Sequence, residues 1–148
     1  MARPLTHLIA SAGLGAIIGL RTGRLAPAVA PLFSGFLIDG DHLVDFFRYR
    51  LTGHQNRKQI VLPLHGWEYV PVLWGVERVL GGWLAGGLLT GYIGHLLIDQ
   101  LTNTTTHPFT YFLSFRWAKG FPTDLFNHPN EANIDWMQTS LRRLWKFF

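Results

Sequence analysis

Cysteine is absent from all 148 residues. Disulfides and thiolate metal sites are therefore excluded, and any bound metal must be held by nitrogen and oxygen donors. Charge is scarce too: charged side chains make up 15% of the chain, against about 25% in ordinary soluble domains. Only nine residues are acidic. No internal repeat and no strand-like alternation stand out, so the expected elements are helices. What is abundant is apolar: 48% of residues, with 16 glycines, 6 tryptophans and 11 phenylalanines. This composition fits contact with lipid, where glycine lets helices approach closely and aromatic rings favour the headgroup level. The length predicts one domain over 1–148 with a single core.

The net charge of +4 is unevenly spread. Arg48, Arg50, Arg57 and Lys58 form one basic group. Arg142, Arg143 and Lys146 form another, beside Trp145, Phe147 and Phe148. A basic, aromatic tail suits an anionic membrane surface. No nucleic-acid-binding module accompanies these charges, so a nucleic-acid partner is not expected.

Residues 8–20 (LIASAGLGAIIGL) carry no charge but are short of the ~20 residues that cross a bilayer. The run 25–38 is broken by Pro27 and Pro31, and the best spanning candidate by length, 79–98, contains His95 and ends at Asp99. A secretory signal ending at Ala26-Pro27-Ala28 is disfavoured by Arg21 and Arg24, which lie between the apolar run and the cleavage position. The expected fold is all-α: a compact multi-helix bundle, membrane-embedded or membrane-associated, with polar residues turned inward. Helices are predicted from Thr6 to before Gly23, over about 27–38, from Asp41 to before Gly53, from Pro63 with a restart at Pro71, and over 83–101. A short helical or extended piece near 109–118 and an amphipathic helix over 134–148 complete the chain.

The acids are not scattered. Asp39, Asp41, Asp45, Glu68 and Asp99, five of the nine, lie in otherwise oily segments beside histidines. His95 and Asp99 in HLLID are four apart, and Asp41 and Asp45 in DHLVD are also four apart. His65 and Glu68 in HGWE are three apart, and each such spacing shares a helix face. His7 stands alone among apolar residues near the start of the first helix. Paired His and carboxylate ligands projecting from helices into a bundle core are an established way to build a metal site. Imidazole plus carboxylate without sulfur suits zinc, iron or manganese. The alternatives are a hydrogen-bonded core histidine at position 7, an intrahelical contact for His95–Asp99, and a helix cap for Asp39. His54, His107 and His128 read as loop residues.

The order His7, then LIDGDH, LPLHGWE and GYIGHLLIDQLTN, resembles the membrane-bound metal-dependent hydrolases, a bacterial and archaeal family distantly like zinc-dependent phospholipase C. The likeness covers about residues 6–117. Two departures are visible: Ile38 stands at a position usually held by proline, and HGWE replaces a longer H-R-G-x-T-H motif, so that Glu68 takes the place of a histidine. The resemblance implies metal ligation by His7, Asp39 or Asp41, His65, His95 and Asp99, by one to three zinc-like ions. With the paired carboxylates read as ligands too, the expected metal set is His7, Asp41, Asp45, His65, His95 and Asp99. Asp39 and Glu68 are the expected catalytic bases. It further implies hydrolysis of a phosphodiester or ester in a small-molecule or lipid-like substrate at the cell membrane. The alternative is a non-catalytic membrane protein whose His/Asp site is structural or serves transport.

Overall fold

The computed structural model describes residues 4–52, 59–81, 84, 86–103 and 105–126. The predicted C-terminal helix, its basic aromatic cluster, His54 and His128 lie outside the described residues. The fold is all-α as expected. Its helices are α1 (Pro4–Thr22), α2 (Leu25–Phe36), α3 (His42–Thr52), α4 (Tyr69–Val79), α5 (Gly87–Thr102) and α6 (Leu113–Ala118). The tight 3₁₀ turns Leu37–Asp41 and Thr123–Phe126 join or end them. Among the described residues extended pairing is limited to an isolated bridge between Gln59 and Pro122.

Three helices build the frame, and each does so with a row of residues spaced by four. On α1 the buried row is His7, Ser11 and Gly15. On α2 it is Pro27, Pro31 and Gly35, and on α5 it is Gly87, Gly91, His95 and Asp99. Residues four apart stack on one helical face, so the rows of α1 and α5 run from a small end to a polar one. At the small end the backbones nearly touch. A Cβ added to Gly91 would stand 2.5 Å from Pro31 Cα and 2.5 Å from Ser34 Oγ. One added to Gly87 would stand 2.6 Å from the Pro27 carbonyl oxygen. Glycine is required there because no side chain fits. Farther along the same row of α5, this close approach delivers His95 and Asp99 beside His7.

A second layer closes the polar end. Ile38, Leu62, Tyr92, Leu96, Tyr111, Leu125 and Phe126 form an apolar cluster, which the partly buried Ile60, Trp67, Tyr69 and Phe115 extend. Here the structure corrects the expected helix from Pro63: residues 60–68 form an irregular turn, and α4 begins only at Tyr69. Leu62 sits at φ +41°, a left-handed conformation that a continuing helix forbids.

Large apolar side chains are exposed on the described helices, among them α1 and α4. Leu5, Leu8, Ile9, Ile17 and Leu20 are exposed on α1. No residue of α4 is buried, and Val72, Trp74, Val76 and Val79 are exposed on it. Among the described residues one helix, α1, is long and apolar enough to cross a membrane.

Candidate metal centre

Six of the residues singled out in the sequence come together: His7, Asp39, Asp41, His65, His95 and Asp99. His65 Nε2 and His95 Nε2 are 2.9 Å apart. Asp39 Oδ1 lies 3.6 Å from each of these nitrogens. Asp99 Oδ2 lies 3.4 Å from His65 Nε2 and 3.5 Å from His95 Nε2. For ligands about 2.0–2.1 Å from a tetrahedral ion, the edge between two ligands is about 3.3–3.4 Å. Four of these five separations, 3.4–3.6 Å, lie close to that edge and the His65–His95 separation is shorter, so the two rings with either carboxylate form one face of a candidate cage.

Hydrogen bonding on the far side of each ring fixes what the near side offers. His95 Nδ1 is 2.7 Å from the Gly35 carbonyl oxygen, which only accepts, so Nδ1 carries the proton. His65 Nδ1 is 2.9 Å from Asp41 Oδ2, and the same oxygen accepts the Leu64 N–H at 2.8 Å. His65 therefore also donates through Nδ1. In both neutral rings Nε2 is left as a lone pair. Two such lone pairs and two carboxylate oxygens face one another with no donor between them. Only a cation, whether proton or metal, makes that arrangement stable.

Electrostatics agree. Burial pushes the His65 imidazole towards neutrality, but its hydrogen bonds to Asp39, Asp41 and Asp99 win and hold its pKa well above the ordinary value. Burial also pushes the Asp39 carboxyl up. The His65 hydrogen bond and the nearby His95, His7 and His42 outweigh that and hold it low.

The cage extends on both sides. His7 Nε2 is 3.2 Å from the other oxygen of Asp99, and its ring stacks on His95 with centroids 4.0 Å apart. Its Nδ1 and Asp41 Oδ1 are buried without a hydrogen-bond partner. Three groupings within coordinating reach share His65 or His95: His7, His95 and Asp99; Asp39, His65 and His95; Asp41, His42 and His65. These buried clusters can hold a metal ion. The way in is narrow. The side chains of His7, His65, His95 and Asp41 are at most 1% exposed, whereas Asp39 is 20% and His42 24% exposed.

Two expected residues are elsewhere. Glu68 accepts from Leu113 N at 2.9 Å, Ser114 N at 2.8 Å and Ser114 Oγ at 2.6 Å. It caps the start of α6 and belongs to none of the three groupings, because HGWE is a turn and the helical spacing to His65 does not apply. Asp45 accepts from Val61 N at 3.0 Å and Leu62 N at 2.9 Å and contacts Arg48. Asp41 closes the 3₁₀ turn while Asp45 belongs to α3, so the two carboxylates diverge. Asp39, expected as a free base, belongs to the cage.

His42 and Arg116 were not anticipated as members of the site. The run DGDH carried the signal for His42. Arg116, fully buried in the apolar FTYFLSFRWA segment, carried none that sets it apart from a surface charge.

No family profile, curated protein or solved structure matches this chain.

Proposed function

We propose that the protein is a metal-dependent hydrolase acting at a membrane surface on a phosphodiester or ester of a lipid-like substrate, with zinc as its ion. The observation that carries this is the convergence of two imidazole lone pairs with two carboxylate oxygens, each oxygen within 3.6 Å of both nitrogens, and with the second nitrogen of each ring committed to an acceptor. Metal-bound histidines are oriented in this way, the remote N–H donated to a carboxylate or carbonyl. His65, His95, Asp39 and Asp99 would hold the ion. When bound, such an ion lowers the pKa of a water towards ~7 and polarises a phosphoryl or acyl oxygen.

The remaining tasks fall to neighbouring side chains. Asp41 orients His65, and the Gly35 carbonyl orients His95. His7 steadies the outer oxygen of Asp99. Substrate enters past Asp39 and His42, the exposed side of the cluster, and His42, 3.7 Å from Asp39, is placed to carry a proton there. The apolar outer faces of α1 and α4 support a bilayer as the environment, since they would otherwise meet water. The order of the four motifs, which resembles the membrane-bound metal-dependent hydrolases, supports the same reading. On this reading the protein acts at the cell membrane.

The test is elemental analysis of the purified protein, followed by hydrolysis of a chromogenic phosphodiester and of phospholipid vesicles by wild type and His95→Ala. Bound zinc, and turnover that His95→Ala abolishes, are expected. Bound metal without turnover would leave a structural or transport site. Equal activity in the two proteins would overturn the hydrolase.

A further inference from the structure

Arg116 is buried to 0% exposure, and among the described residues the hydrogen bonds of its guanidinium go to main-chain carbonyls. Nη1 donates to the Val61 carbonyl at 2.5 Å. Nη2 donates to Leu62 at 3.1 Å and also to His65. These three carbonyls belong to the turn that carries His65. Amide groups of the same turn are taken by carboxylates from the opposite side: Val61 and Leu62 by Asp45, and Leu64 by Asp41. Tyr92 closes the far end, its hydroxyl accepting the Gly66 N–H at 3.2 Å. The turn is strained at Leu62, with φ +41°, and a strained segment persists only where its surroundings over-determine it.

From this geometry we infer that Arg116 is a positioning residue, whose planar fork gathers the carbonyls of the 61–65 turn and so fixes His65 Nε2 opposite His95 Nε2. A guanidinium suits the task because its donors lie in one rigid plane, whereas an ammonium concentrates its donors at a point. The carboxylates hold the amides of this turn and Arg116 holds its carbonyls. Neither set alone defines where the His65 ring points.

One arm of the test rests on the metal reading and the others do not. In the metal-free protein, the ring nitrogens of His65 are followed by ¹⁵N resonance and backbone amides by hydrogen exchange, in wild type, Arg116→Lys and Arg116→Met. Both variants are expected to lose the Nδ1–H signature of His65 and to exchange faster at Leu62, Leu64 and His65, with α1, α2 and α5 unchanged. Zinc affinity is expected to fall about 10- to 100-fold, as for other groups that orient ligands. Protection lost equally through α1, α2 and α5, or a His65 resonance and zinc affinity unchanged, would overturn the inference. If neither variant folds, the wild type still decides: slowly exchanging Arg116 Nη protons are expected, and freely exchanging ones would refute the clamp. A wild type that binds no zinc would defeat the metal reading and leave the His65 resonance to judge Arg116.

Discussion

Replacing Asp41 by asparagine isolates one interaction of the centre. The side chain keeps its shape, and its oxygen can still accept from His65 Nδ1 and Leu64 N, now 2.9 and 2.8 Å from Oδ2. The new amide nitrogen falls where Oδ1 now lies without a partner. The variant should therefore fold. What it loses is the charge behind the His65 bond. Hydrogen bonds to charged groups contribute roughly 1.5–3 kcal/mol, and neutral ones about 1. The expected loss of zinc affinity is thus about 1–2 kcal/mol, or about 5- to 30-fold, within the range for groups that orient metal ligands. A competition titration against a chromophoric chelator measures it. The deficit should be largest at alkaline pH. At lower pH it should shrink, because Asp41 also favours the His65 proton that zinc must displace. A zinc affinity within about twofold of wild type across that range would refute the claim that Asp41 orients a ligand.

Other consequences follow from the same contacts. In metal-free protein the raised His65 pKa contributes stability that is full below about pH 6.5 and lost as pH rises through the folded-state value. Zinc needs the unprotonated ring, so the thermal midpoints of metal-free and zinc-loaded protein should diverge as pH rises, and parallel curves would contradict this. The Glu68 carboxyl is lowered: burial raises it, but the Ser114 and Leu113 hydrogen bonds prevail. Its contribution is full above about pH 4.3 and lost as pH falls through the lower folded value. Glu68→Gln should flatten the acid limb of a stability–pH curve, and Glu68→Ala should cost about 1 kcal/mol in urea unfolding without changing zinc affinity. Gly91→Val should destabilise by roughly 1–3 kcal/mol, since its Cβ meets Pro31 and Ser34. An unfolding midpoint like that of wild type would mean α2 and α5 are not in contact there.

Much of the centre was legible in the sequence because α1 and α5 are the regular helices that helical spacing assumes. His95 and Asp99 share a face of α5, and His7 belongs to the buried row of α1. Where the backbone leaves the helix, spacing stops carrying information. The 60–68 turn separates His65 from Glu68, and the 3₁₀ turn before α3 separates Asp41 from Asp45. Glu68 caps a helix 45 residues away along the chain, a pairing that no local pattern encodes. Arg116 was hidden for the opposite reason. A single arginine in an apolar segment reads as a surface charge until the three carbonyls it gathers are known.

X-ray absorption of the zinc-loaded, full-length protein measures the central geometry most directly. Nitrogen and oxygen donors at about 2.0–2.1 Å, with outer-shell scattering from at least two imidazoles that weakens in His95→Ala, is the result expected for a cation gathered by His65, His95, Asp39 and Asp99. Zinc that dialyses away, or a spectrum without imidazole scattering, would contradict it.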